Sequence, residues 1–357
     1  MSTSQLPPTQ TGPAAWVGPD IRSRQDEWLI PFSSTEINEL EAAAEPLVAA
    51  ESDIGAMTQA DFSLPTLAPK LAALRQELIH GRGFALLRGL PIDRYSEREA
   101  VTIFYGIGAH LGNARSQNAD GHVLGHVRNL GVDSSDPNVR IYQTQERQTF
   151  HTDSCDVVGL LCLQPAKEGG LSLLVSAETL FNEIKNRRPD LLQLLLDPIA
   201  TDRRGEVPEG MLPYLLIPIF NWHNGRITPF YQRQYIESAQ RFPDAPRLTD
   251  AHIEALDLLD DLANNAALNL SMMLEKGDMQ FVYNHAMLHD RTGFEDWPEI
   301  ENRRHLLRLW LSIPGDRELP NVFATRYGSI EVGKRGGIVV PGTKFCIPWT
   351  REVVGQN

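Results

Sequence analysis

Between residues 139 and 313 the chain breaks into short β-rich runs, and this property narrows the fold more than any single motif does. The runs fall at 139–142, 157–163, 171–175, 212–220, 227–231, 279–283 and 306–313, separated by Gly, Pro and Asn turns. Helical patterns interrupt them near 177–196 and 249–266, the second with Ala251, Ile253, Leu256, Leu259 and Leu262 spaced for one buried face. Strands and helices do not alternate as βαβ units would, which argues against a doubly wound sheet. A mixed, mainly β core, a sandwich or barrel with helical cover, is expected.

Upstream, three helices are legible. Ser33 opens the first with Glu36 three residues on, a capping box, and Phe32 and Ile37 are placed as a hydrophobic staple. The second carries Leu67, Leu71, Leu74 and Leu78 and stops at Gly81 and Gly83, followed by a short apolar strand at 84–89. The third starts at Ser96 with Glu99 as its capping partner and runs to about Leu111. Residues 1–28 mix Pro, Ser, Thr, Gln and Gly without period and are expected to form a flexible N-terminal arm, leaving 29–357 as a single domain. The Gly- and Pro-rich stretch 314–357 suits a flap over a site as well as an inert tail.

Composition removes several function classes. A net charge of −13 disfavours nucleic acid and anionic membrane, which both need basic surface. No run of about 18 apolar residues occurs, and the first residues lack the basic flank and apolar stretch of a secretory signal. A soluble, cytoplasmic protein is expected. Cys155, Cys162 and Cys346 are odd in number and show no C-x-x-C spacing, which disfavours disulfides and structural zinc. An anionic ligand would need a local basic pocket, and homo-oligomerisation is left open.

His151 and Asp153 lie two apart, so on a strand they share a face about 6.6 Å apart along the chain. Alone the pair is weak, since a His-x-Asp is expected about once by chance in a chain with this composition. Phe150 before it and the uncharged run 157–163 after it put the pair at the edge of a core strand. His289 is the best third ligand, with His285 as a rival four residues earlier. On a helix those two would suit zinc, but the Glu of H-E-x-x-H is missing, which demotes zinc hydrolysis. His122 and His126 read as parts of a hydrogen-bonded loop. Two histidines, a carboxylate and open positions form a divalent-iron ligand set.

Residues 304–311 carry the clearest period. On a strand, Arg304, Leu306, Arg308 and Trp310 share one face while His305, Leu307, Leu309 and Leu311 share the other, a packed one. Arginines pointing into a barrel need partners, and a carboxylate ligand supplies one through paired hydrogen bonds. If that face looks to water instead, the arginines are merely solvated.

Five segments in order carry a resemblance: Gly83 to Pro91, Thr149 to Asp153, Glu168 to Ser172, Leu288 to Asp296 and Arg304 to Trp310. Together they resemble the taurine dioxygenase-like (TauD/TfdA, clavaminate synthase-like) superfamily of Fe(II)/2-oxoglutarate-dependent oxygenases. The resemblance implies a double-stranded β-helix, or jelly roll, with His151, Asp153 and His289 as iron ligands. It implies that Arg304, helped by Ser172, meets the distal carboxylate of the co-substrate 2-oxoglutarate, and that Arg308 meets an anionic group of the substrate. The implied reaction converts 2-oxoglutarate and O2 to succinate and CO2 while oxidising a substrate C–H bond. Halogenating relatives replace the carboxylate ligand with a small residue. Asp153 therefore points to hydroxylation, desaturation or oxidative cyclisation such as aziridine formation.

Loops decide substrates, and here these are 113–128, the 221–235 hairpin and 314–347, with Gln117 and Asn118 as candidate substrate hydrogen-bonders, although a capped turn uses the same residue types. A small polar, amino-acid-like substrate is expected, since fungal members of similar length cyclise or hydroxylate amino acids. A catalytically silent jelly-roll binding or sensor protein is the alternative, with a zinc hydrolase behind it.

Overall fold

The computed structural model describes residues 6–132, 141–340 and 342–349. Its centre is two facing sheets, the jelly roll that the resemblance implies. The larger is seven-stranded and runs, by hydrogen bonding, through Leu29–Pro31, Phe84–Arg88, Met279–Tyr283, Val157–Gln164, His305–Ser312 and Asn113–Ala114, with Leu124–Arg128 also paired to His305–Ser312. The smaller orders Leu270–Met272, Ser172–Ser176, Met287–Arg291 and Gln148–His151. Pairing is antiparallel except where Leu29–Pro31 joins Phe84–Arg88.

Helices cover the outer faces. Helix Glu97–Leu111 lies so close to the His305–Ser312 strand that a Cβ on Gly108 would sit 2.7 Å from Leu309 Cδ1. The leucine face of that strand is therefore buried against helices, and the arginine face looks inward between the sheets. Both expected capping boxes form, Ser33 with Glu36 and Ser96 with Glu99. Helices Ala177–Arg187, Pro189–Leu196 and Asp250–Asn264 pack together over Phe150, Val175 and Leu288 of the smaller sheet.

Several expectations are corrected. Residues 6–28 are not a loose arm: they hold helices Gly18–Ser23 and Gln25–Trp28 and bury Trp16, Ile21 and Trp28. The Trp16 indole donates to the Arg82 carbonyl at 2.9 Å and its ring meets Phe84 edge-on at 5.5 Å. Isolated aromatic anchors carry no period, so a periodicity search passes over them. The 177–196 helix breaks at Arg188, because Pro189 cannot donate within a helix and starts a new one. Pro218 likewise splits the 212–220 run into Tyr214–Ile217 and Phe220–His223. In helix Asp250–Asn264, Ile253 is 42% exposed, while Ala255 and Ala263 complete the buried face. Of the 139–142 run, 139 and 140 lie outside the described residues and Ile141–Gln143 is a 3₁₀ turn.

Two buried polar clusters tie the segment after residue 313 to the sheets. The Arg335 side chain is 0% exposed and donates to Asp156 and Asp316, both at 2.7 Å, and to the Arg317 carbonyl at 2.7 Å. His285 bonds the same Asp156 at 2.8 Å, and the Tyr283 hydroxyl donates to Asp316 at 2.7 Å. Asp156, His285 and Asp316 alone would resemble a metal site, but the cation among them is the guanidinium. Removing one partner of such a buried set strands the other charges. Arg335→Ala is therefore expected to lower unfolding free energy by about 3–5 kcal/mol, read from the urea midpoint.

On the larger sheet, His126 lies in a strand rather than a loop, with Nε2 2.8 Å from the Pro348 carbonyl and Nδ1 2.8 Å from His305 Nε2. A carbonyl only accepts, so His126 Nε2 carries its proton and His305 Nε2 donates to the neutral ring. Burial, then the neighbouring His126, pushes His305 down to about 3. A base depressed in the folded state stabilises fully above its ordinary value of 6.5 and loses that contribution as pH falls toward 3. A His305→Leu variant should lose less stability than wild type between pH 6.5 and about 4 in chemical denaturation.

Candidate metal centre and its pockets

The triad begins with strand pairing. His289, in the middle of Met287–Arg291, stands opposite His151, the last residue of Gln148–His151, and the two rings lie 4.1 Å apart. Asp153 lies just past the strand end, where the Asn284 amide oxygen accepts its backbone N–H at 2.9 Å. The expected strand geometry thus holds for His151 and stops before Asp153, and it is the turn that swings the carboxylate between the rings. Asp153 Oδ1 is 3.9 Å from His151 Nε2 and Oδ2 is 3.8 Å from His289 Nε2. All three donor atoms lie within 4.8 Å of one another.

The histidines turn acceptor nitrogens toward a cation site. His151 Nδ1 donates to the Thr149 carbonyl at 2.8 Å, and its Nε2 accepts from the Gln148 side-chain amide at 2.9 Å, a bond it would exchange for a metal ion. Burial, then His151, pushes His289 down to about 3, keeping it neutral, and its Nδ1 has no hydrogen-bond partner among the described residues. Burial alone would raise the Asp153 carboxyl, but Arg308, the two histidines and the Trp310 indole outweigh it and hold it below the usual carboxylate range. Trp310 Nε1 donates to Asp153 Oδ2 at 2.9 Å, and Arg308 Nη1 stands 3.8 Å from the same oxygen. Two imidazoles and an ionised carboxylate converging in a buried pocket fit a divalent iron ion.

A small cavity of about 40 Å³ between the sheets joins the triad to Ser172, Arg291, Arg304 and Arg308. Arg304 is 5% exposed and its Nη1 has no partner among the described residues. Burial pushes Arg304 down to about 10, and burial followed by Arg304 pushes Arg291 to about 9. Both guanidiniums stack on the Phe294 ring, at 5.1 and 4.7 Å. Two buried cations sharing one ring call for an anion. Gly169 and Gly170 both adopt positive φ, and a Cβ at Gly169 would lie 2.3 Å from the Gly293 carbonyl, so the double glycine lets the start of the Ser172–Ser176 strand close onto Phe294 and Arg304. The Ser172 hydroxyl lines the cavity and donates to Gln280 Oε1 at 2.9 Å, so it reaches an anion by turning away from Gln280.

A second cavity of about 260 Å³ opens from Asp153 and Arg308 toward Gln117, Arg326, Glu206 and Ile338. Gln117 lines it but grips Arg308, accepting from Nε at 2.7 Å and donating to its carbonyl at 2.8 Å. Asn118 also lines it, while its side-chain oxygen accepts the N–H groups of Asp120 and His122 at 3.1 and 3.2 Å. Both side chains therefore do local work first: one orients an arginine and the other caps a turn. His285 is not a third-ligand rival, because its ring is bonded to Asp156 in the separate Arg335 cluster, which removes the basis for a His285–His289 zinc site. A separate cleft of about 770 Å³ lies behind the larger sheet and touches none of these residues.

Sequence reasoning passed over Arg291, Trp310 and Arg326. For the first two the signal was present: Arg291 follows His289 by two residues on one strand face, and Trp310 follows Arg308 by two. For Arg326 there was none. Losing the indole donor should cost the carboxylate its orientation; Trp310→Phe is expected to weaken Fe(II) binding by about 10–100-fold, measured by anaerobic equilibrium dialysis.

Comparison with known proteins places this geometry in context. The family model "Taurine catabolism dioxygenase TauD, TfdA family" matches residues 43–310. FR-33289 synthase of Streptomyces rubellomurinus is 33% identical over 263 residues, covering 71% of this chain and 76% of its own. The taurine hydroxylase-like protein SAT17 of Stachybotrys chartarum is 31% identical over 305 residues, covering 83% and 77%. An asparagine oxygenase solved with Fe(II), (2S,3S)-3-hydroxyasparagine and succinate shares the fold, with a TM-score of 0.61 at 17% identity over 80% of this chain and 93% of that one.

Proposed function

The chain belongs to the TauD/TfdA family and is an Fe(II)/2-oxoglutarate-dependent dioxygenase, and we propose that it oxidises a C–H bond of a small, polar, amino-acid-like molecule in the cavity beside Asp153. The observation that carries this reading is the buried cluster of two imidazoles and a carboxylate adjoining a buried Arg304 whose Nη1 has no hydrogen-bond partner among the described residues. His151, Asp153 and His289 would hold the iron, and Arg304 the distal carboxylate of 2-oxoglutarate, with Ser172 beside it. When bound, the pair supplies oxidative decarboxylation of 2-oxoglutarate by O2 to succinate and CO2, coupled to oxidation of the substrate.

The chain's own groups arrange that chemistry. Trp310 and Arg308 fix the Asp153 carboxylate, the Thr149 carbonyl fixes the His151 ring, and Gln117 fixes the Arg308 guanidinium by its Nε. Leu306, Val158 and Leu160 line the cavity around Arg304 and keep it poor in water, which strengthens its grip on an anion. The substrate cavity offers both signs of charge: Arg308 at the triad end, and Arg326 bonded to Glu206 at 3.1 Å on its wall. A zwitterion suits such a wall, with its carboxylate on Arg308, and the hydroxyasparagine held by the asparagine oxygenase has that character.

The test is succinate formation with Fe(II), 2-oxoglutarate and O2 against the proteinogenic L-amino acids and taurine. At least one should stimulate succinate above the substrate-free rate, and His151→Ala should abolish it; no stimulation by any of them would overturn the substrate class. Arg304→Ala should raise the 2-oxoglutarate KM by about 30-fold or more, the cost of truncating one side of a buried charged pair. An unchanged KM would remove Arg304 from that role.

A further inference from the structure

The segment Arg335-Gly336-Gly337-Ile338 touches the site from a part of the sequence that the reaction does not use. The Gly337 N–H donates to the carbonyl of Ser154, the residue after Asp153, at 2.7 Å. One residue on, the Ile338 N–H donates to the carbonyl of Ser116, the residue before Gln117, at 2.8 Å. Arg115 Nε returns a bond to the Gly336 carbonyl at 2.9 Å, and Asn113 holds the Gly333 carbonyl at 2.8 Å. Both glycines have positive φ and lie flush against their neighbours. A Cβ on Gly336 would lie 2.8 Å from the Ser154 carbonyl oxygen, and one on Gly337 would lie 2.7 Å from that of Ser116 and 2.8 Å from Arg115 Cβ. The fully buried Arg335 anchors the segment through Asp156, three residues beyond Asp153.

From this geometry we infer that residues 335–338 are a positioning clasp that fixes the Asp153 turn and the Gln117 turn relative to one another, and that Ile338, which lines the 260 Å³ cavity, is a selectivity wall for the substrate side chain. The clasp joins the two backbones whose side chains set the carboxylate ligand and the Arg308 guanidinium. Ile338, with Ile141 and Trp310, brings apolar surface to a cavity whose other walls are mostly polar or charged, so the substrate carries an apolar portion beside its charged groups. The wall assignment rests on the proposed function, and the clasp does not.

Two measurements on the full chain separate them. In hydrogen exchange, Gly337→Ala should speed exchange by about tenfold in both 113–118 and 151–157 while leaving helix Asp250–Asn264 unchanged. Faster exchange confined to 335–338, or none, overturns the clasp. If that variant does not fold, Arg335→Lys, which keeps the charge and loses the fork, is measured the same way with the same outcomes. In the succinate assay with the proteinogenic L-amino acids as probes, Ile338→Ala should shift the best probe to a larger side chain while the 2-oxoglutarate KM stays within about threefold. An unchanged rank order overturns the wall. If wild type answers to no amino acid, the substrate class falls and the wall with it, while the exchange result still decides the clasp.

Discussion

A carboxylate buried between two sheets is costly unless cations and donors converge on it, and the structure around Asp153 is organised by that requirement. Arg308 and Trp310 reach it from alternate positions of one strand, His151 and His289 from a cross-strand pair, and Asn284 holds its backbone. Gln117 then holds Arg308. Three residues further on, Asp156 faces the same problem with His285 and Asp316 for company, and there the chain supplies the cation itself as Arg335. The two clusters use similar donors. One is closed by a guanidinium, and the other leaves its imidazole nitrogens and carboxylate converging on a space fit for an ion.

The charge distribution repeats this logic on a larger scale. A chain with a net charge of −13 gathers Arg291, Arg304 and Arg308 around one pocket, so an anionic co-substrate meets local positive potential that the whole molecule lacks. Phe294 lets two of those guanidiniums approach each other by giving both a ring face. The inward arginine face of the His305–Ser312 strand is possible because its leucine face is sealed by helix Glu97–Leu111.

Much of this was legible in sequence wherever a short-range rule decides the outcome. Capping boxes, the alternation over 304–311 and the ordered motifs around His151 and His289 depend on neighbours a few residues apart. What was not legible depends on contacts distant in sequence. Trp16 finds Arg82 and Phe84, Arg335 finds Asp156, and Gly337 finds Ser154 only after folding. Gln117 and Asn118 line the cavity, but residue type alone does not reveal that one would turn to Arg308 and the other to its own loop.

The central claim is that His151, Asp153 and His289 form one iron site. Anaerobic Fe(II) titration of the purified chain against Asp153→Ala tests it most directly. The account predicts one ion per wild-type chain and loss of that binding in the variant with its fold retained. Equal binding by both proteins would contradict it.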